Sequence, residues 1–250
     1  MNIGIIGQGF VGSAIKEGLK DFYKVSTFDI DDSKCNSTHQ EVCINSDIIF
    51  VCVPTPMRKS GECDIRILES ALKDAYDEIK KIEVKPLHSD FLDHKKCSKT
   101  FVIKSTVPPG TTEMLSLKFP KINLCFSPEF LTEANSFKDF KNQNRIIIGG
   151  DGGKIVKQMF RKVFPKIPII LTKSETAEMV KYFTNCFLAS KVTFANQMFQ
   201  ICNDNNIDYD KVCEYALYDE RIGKSHLAVP GPDGDLGFGG HCFPKDLAAM

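Results

Sequence analysis

One thiol, Cys242, stands behind the glycines of GFGGHCFPKDLAAM and ahead of Lys245 and Asp246. Cysteine is a nucleophile as its thiolate, which needs positive charge nearby. Lys245, three residues on, is a cation able to supply that charge. Gly237, Gly239 and Gly240 let backbone come close to a ligand. Lys181 and Asn185, four apart in ETAEMVKYFTN, share a helix face. SPEFLTEANSFKDF, residues 127–140, adds the carboxylates of Glu129 and Glu133. Each piece alone has an ordinary alternative. Helix Lys/Asn pairs are commonly solvated, and a Glu after Pro is often a helix-start carboxylate held by the dipole. A lone cysteine is commonly a small buried hydrophobe, the reading given to the other nine.

At the other end of the chain, IIGQGFVG sets Gly7, Gly9 and Gly12 in GxGxxG, with Phe10 and Val11 inside the turn. The motif follows a strand-like run, precedes a helical pattern, and is followed by KVSTFD, which ends on Asp29. Together these form the fingerprint of a dinucleotide site. The glycines permit a tight turn and close approach of a pyrophosphate, and the helix N-terminus stabilises its charge. Asp29 is placed to accept from ribose hydroxyls. A carboxylate there repels a 2′-phosphate, so the expected cofactor is NAD rather than NADP. CVPTP and STVPPGTTE end later strands where ligands of open sheets bind, which makes Thr55, Ser105 and Thr106 candidate cofactor contacts. Read singly, each is more often a loop or cap hydroxyl.

The elements that must position these residues are legible as rhythm. MNIGIIG, KVSTFD, DIIFVCV, TFVIKST, INLCFSP, RIIIGG and IPIILT are short apolar runs of strand type. They are continuous rather than alternating, as expected where helices cover both sheet faces. Helical patterns over residues 11–20, 65–82 and 153–164 lie between them. The expected fold is α/β, a Rossmann-type doubly wound parallel sheet, followed by a long central helix and an α-helical dimerisation segment. The long helix is expected from Ser174, as N-cap, to about residue 203, with a shorter one over 209–218. Another helix is expected to begin near Asp246. The domain boundary is set at 172/173, giving a nucleotide domain (1–172) and a central helical domain with the cysteine loop (173–250).

Bulk properties exclude several classes. The chain has 250 residues and 32 acidic against 32 basic side chains, with no basic block, so nucleic acid is not an expected partner. No apolar run approaches a membrane span, and MNIGIIGQGF lacks the features of a secretion signal. Ten scattered cysteines without a CxxC pair suit reduced thiols and a cytoplasmic setting. No metal is expected: His88, His94 and Cys97 match no common zinc spacing and read as a polar loop.

Taken together, SPEFL.E, K...N, RIG and GFGG.CFPKD in this order resemble the nucleotide-sugar dehydrogenases that oxidise a sugar 6-hydroxymethyl to a carboxylate. The resemblance covers essentially the whole chain. It implies UDP-glucose as substrate, with GDP-mannose or UDP-N-acetylmannosamine as alternatives. It also implies two NAD consumed per sugar and covalent capture of the aldehyde by Cys242. By the same resemblance, Lys181 and Asn185 hold the oxygen that becomes alkoxide and then oxyanion. Asp246 acts as a base through water or holds Lys181, Glu129 handles the hydrolytic water, and Thr106 touches that water and the cofactor. Glu133 lies near the nicotinamide, and Lys245 is counted with the cofactor contacts. Phe130, Leu131 and Gly239 present backbone to the sugar nucleotide, and Arg221 reaches a substrate across a subunit interface. The family further implies a homodimer through the long helix and a second, UDP-binding α/β domain after the cysteine loop. That domain lies outside this sequence, so a separate chain carrying it is one expected partner. His241 departs from the small residue common before the cysteine. Two competing readings are a non-catalytic NAD-binding partner chain and a β-hydroxyacid dehydrogenase, which needs no thiol.

Overall fold

A computed structural model describes residues 1–83, 99–232, 234–240 and 242–250, without the side chains of Ile82, Glu83 and Glu133. It divides into two compact units, Met1–Arg58 with Cys63–Lys181, and Lys59–Glu62 with Tyr182–Met250.

In the first unit the expected strands form β1 (Asn2–Ile6), β2 (Lys24–Phe28), β3 (Ile48–Val51), β4 (Thr100–Ile103), β5 (Asn123–Phe126), β6 (Ile146–Gly150) and β7 (Ile169–Thr172). They make one sheet in the order β2-β1-β3-β4-β5-β6-β7. Helices α1 (Phe10–Leu19), α2 (His39–Asn45), α3 (Arg66–Glu83), α4 (Thr111–Lys118), α5 (Ser136–Lys141) and α6 (Gly153–Val163) connect them.

Along β3 the side chains alternate between two buried clusters. Ile49 and Val51 join Leu68, Leu72 and Leu115, while Ile48 and Phe50 join Ile15, Leu19 and Phe160. Both faces are covered, which explains the continuous apolar runs.

Three features depart from the sequence reading. β6 pairs antiparallel with β5, so the sheet is mixed rather than wholly parallel. The intervening α5 has six residues, about 9 Å of helix, too short to carry the chain back along a strand. It packs on α1 instead, where Gly18 leaves the space filled by the Phe140 ring. The second departure is α2, unforeseen although Thr38 and Glu41 form a full capping box. The third is the start of the long helix: Ala177 N bonds Lys173 O, so Lys173 and not Ser174 occupies the cap position.

α7 runs unbroken through Ser174–Asp204. Its first turns belong to the first unit, where buried Glu178 accepts from Gly110 N (2.7 Å), Thr112 N (2.8 Å) and Thr112 Oγ1 (2.6 Å). Burial still pushes the Glu178 carboxyl above its usual value.

The second unit holds the rest of α7, α8 (Tyr209–Ala216) and α9 (Phe243–Ala248). α9 starts three residues before the expected Asp246, with Pro244 in its first turn, where a missing N–H costs nothing. A small core of Ala195, Cys202, Tyr209 and Val229 joins α7, α8 and the following loop, and Tyr209 Oη donates to Leu227 O at 2.8 Å. Two α7 side chains tether that loop. Lys191 Nζ donates to Gly223 O (3.0 Å), and Asn196 Oδ1 accepts from Gly237 N (2.9 Å). No helix of the described residues is long and apolar enough to cross a membrane.

Candidate functional site

The parallel strands β1 to β5 end at one edge of the sheet, so the residues following each are gathered there. β2 and β3 flank β1 on opposite sides, which makes the β1/β3 boundary the switch point where ligands of such sheets bind. The glycine loop leaves β1 at this place. Gly7 has φ +93°, and a Cβ on Gly12 would lie 2.0 Å from Gly7 O, so neither position tolerates a side chain. Gly9 meets nothing within 4 Å and caps α1 with no side-chain bond, leaving backbone N–H groups of the first turn open to an anion. Phe10 is exposed at the start of α1, and Val11 packs partly on the core. Asp29 Oδ2 accepts from Gln8 N (2.5 Å) and Oδ1 from Asp31 N (3.0 Å), holding the carboxylate at the loop. An anion cradle beside an acceptor for ribose hydroxyls fits NAD.

The loops after β3 and β4 lock together. Thr55 Oγ1 donates to Thr106 O (2.8 Å) and Ser105 Oγ to Val53 O (2.5 Å). The hydroxyls of Thr55 and Ser105 thus build the edge as well as lining it.

After β5, Glu129 is held from every side. Its Oε1 accepts from Phe130 N (2.7 Å) and Leu131 N (3.0 Å), and Lys104 Nζ lies 3.0 Å from Oε2. Lys181 Nζ donates to the Glu129 carbonyl. The N–H groups of Phe130 and Leu131 are therefore occupied by Glu129. Lys181 also stands 5.6 Å from the centre of the Phe130 ring. Glu178 docks α7 and so sets Lys181 one turn further on. Sequence reasoning missed Glu178 and Lys104. The available signal for Lys104 was a lysine closing the buried run TFVI. Glu133 opens a single 3-10 turn, Glu133–Asn135, and its side chain lies outside the described residues.

In the second unit Asn185 and Asp246 are both buried, and Asn185 Nδ2 donates to Asp246 Oδ2 at 2.6 Å. Lys245 Nζ donates to Asp246 Oδ1 at 2.5 Å. The expected use of Lys245, as the charge beside the thiol, meets a competing partner here: the ammonium is turned onto Asp246. Cys242 precedes α9 and is exposed, the one exposed thiol among the described cysteines. By contrast, burial pushes the thiols of Cys43, Cys52 and Cys125 up to about 12. Arg221 is exposed and closes on Asp219, with Nε to Oδ1 at 2.8 Å and Nη2 to Oδ2 at 2.5 Å. Gly239 is exposed. His241 and the segment with His88, His94 and Cys97 lie outside the described residues.

The chain matches two models of the UDP-glucose/GDP-mannose dehydrogenase family, the NAD binding domain over residues 36–167 and the central domain over residues 175–250. It is similar to the UDP-glucose 6-dehydrogenase of Rickettsia prowazekii, 33% identical over 245 residues that cover 94% of this chain and 51% of that protein. Among solved structures it is similar to a UDP-glucose dehydrogenase from the hyperthermophilic archaeon Pyrobaculum islandicum. The TM-score is 0.82 and the identity 27%, covering 99% of this chain and 62% of that one. A GDP-mannose dehydrogenase from Pseudomonas aeruginosa shares the fold, with TM-score 0.73 and 24% identity over 100% of this chain and 63% of that one. The chain thus spans about half the length of the Rickettsia relative.

Proposed function

Because the chain belongs to the UDP-glucose/GDP-mannose dehydrogenase family, we propose that it carries the NAD site and the nucleophile for four-electron oxidation of a nucleotide sugar, UDP-glucose being the preferred substrate. The observation that carries this reading is Cys242: an exposed thiol at the start of α9, whose Asp246 is buried and tied to Asn185 and Lys245. The GFGG and CFPKD motifs, together with the Rickettsia relative, favour UDP-glucose over GDP-mannose or UDP-N-acetylmannosamine.

NAD, when bound, takes up the hydride of each of the two oxidations. The glycine loop and the α1 N-terminus hold its pyrophosphate, and Asp29 its ribose. Cys242 Sγ bonds to the aldehyde carbon left by the first oxidation, which keeps the aldehyde from escaping. The second oxidation turns this thiohemiacetal into a thioester. Lys181 and Asn185 stabilise the negative charge on the substrate oxygen at both stages. Glu129 orients the water that cleaves the thioester, and Asp246 keeps Asn185 and Lys245 in place. Thr106 lines the cofactor, Gly239 and the Phe130 and Leu131 backbone line the sugar nucleotide, and Arg221 serves the substrate of a partner copy. The setting is the cytoplasm.

The test is NADH formed per sugar consumed, with the chain alone and mixed with a separately made UDP-binding domain of the family. Two NADH per sugar in either mixture supports the reading. Intact NAD binding with no NADH in both overturns it in favour of a cofactor-binding partner chain.

Asp29→Ala is expected to weaken NAD by about tenfold, the scale of a hydrogen bond to a charged group. Calorimetric titration checks this, and unchanged affinity would remove Asp29 from the ribose.

A second copy is proposed to cover α7. Phe183, Phe187, Phe194 and Ile201 are 70%, 58%, 60% and 52% exposed along one stripe, and the rings of Phe183 and Phe187 stack at 6.4 Å. Contiguous apolar surface of this kind marks an interface. Phe183→Asp with Phe194→Asp is expected to convert a dimer into a monomer in sedimentation. A wild-type chain already monomeric at working concentration would sink this assignment.

A further inference from the structure

We propose that Lys104 is a positioning residue for thioester hydrolysis, fixing the Glu129 carboxylate so that one acceptor direction remains for the attacking water. The inference rests on the hydrolytic role given above to Glu129. Lys104 follows β4 and is buried, with Nζ 3.0 Å from Glu129 Oε2 and donating to Pro128 O at 3.2 Å. A carboxylate has about four acceptor sites. The N–H groups of Phe130 and Leu131 fill two on Oε1, and Lys104 fills one on Oε2. Among the described residues the remaining site on Oε2 has no partner, which leaves it to a water in a direction set by the ammonium.

Lys181 clamps the same residue from the other side through its carbonyl. Glu129 is thus held at both backbone and carboxylate. Cys52, just after β3, and Cys125 on β5 are close enough to feel the Lys104 charge, yet burial still pushes their thiols up to about 12. A buried ion pair adds little net stability over an apolar pair of the same shape. A lysine kept in this interior therefore points to orientation rather than to stability. In the step concerned, the water oxygen bonds to the thioester carbon and the bond from carbon to Cys242 Sγ breaks. The products are a carboxylate, the free thiol and one released proton.

The experiment follows Lys104→Met, Lys104→Arg and Glu129→Gln by NADH formation and by intact mass during turnover with NAD and UDP-glucose. The chain is mixed with the UDP-binding domain if the wild type requires it. Lys104→Met is expected to form its first NADH at close to the wild-type rate. Hydrolysis should then slow by about 10- to 100-fold, within the range of a lost positioning contact, and protein carrying the covalent acyl group should accumulate. Glu129→Gln should accumulate the same adduct, and Lys104→Arg should clear it. Equal loss of both oxidations, turnover without adduct, or an arginine variant no faster than the methionine variant each overturns the inference. If Lys104→Met does not fold, the arginine and Glu129→Gln arms decide alone. A wild type that makes no NADH overturns the functional reading itself, a result distinct from a defect confined to the variants.

Discussion

Replacing Cys242 with serine is expected to lower steady-state NADH formation from UDP-glucose by about three orders of magnitude or more, the scale on which removing a nucleophile acts elsewhere. The serine hydroxyl is a far weaker nucleophile than a thiolate. On the proposed mechanism the first oxidation does not need the thiol, so single-turnover experiments should still show up to one NADH per active site before the reaction stalls. Cys242→Ala should behave alike. The remaining described cysteines cannot substitute, because Cys43, Cys63, Cys125 and Cys202 are buried and the rest are at most half-exposed. Full turnover by Cys242→Ser on any nucleotide sugar would remove the covalent mechanism and favour a thiol-free hydroxyacid dehydrogenase.

The second large effect is expected at Lys181. Lys181→Met should lower turnover by about 10²- to 10³-fold, the cost of one lost donor to a developing oxyanion. NAD affinity should stay within about twofold, a difference below 0.5 kcal/mol, because the glycine loop and Asp29 are independent of this side chain. The helix should stay docked through Glu178, which keeps its three bonds to Gly110 and Thr112. Folding stability should fall by about 1–3 kcal/mol, since the Glu129 carbonyl loses a donor in a mostly buried place. Urea unfolding separates this cost from the kinetic one. A turnover loss no larger than the stability loss would reduce Lys181 to a structural tether. Loss of NAD binding in step with turnover would relocate it to the cofactor.

The division between legible and hidden features follows the range of the forces involved. The seven strands, the GxGxxG turn with Asp29 and the long α7 were all readable from runs, periods and glycines within a few residues of one another. Such patterns are local: a strand buried on both faces must be apolar throughout, and a turn that meets Gly7 O at 2.0 Å from a Cβ must use glycine. The capping box of α2 was equally local and simply went unread. What only the tertiary structure decided are the pairings across long sequence gaps. Lys181 reaches Glu129 over 52 residues, Glu178 reaches Gly110 over 68, and Asn185 reaches Asp246 over 61. No local pattern encodes these, because each depends on which strand ends and helix turns the topology brings side by side. The same holds for Lys104, whose charge looks like a strand terminus in the sequence and becomes the partner of Glu129 only once β4 and β5 lie together. The reversal of β6 likewise follows from a helix too short to cross the sheet, a constraint of geometry rather than of residue type. The sequence by itself determined the strands, the dinucleotide turn and the long helix, and named the side chains that are candidates for chemistry; the fold decided which partners hold each of them in position.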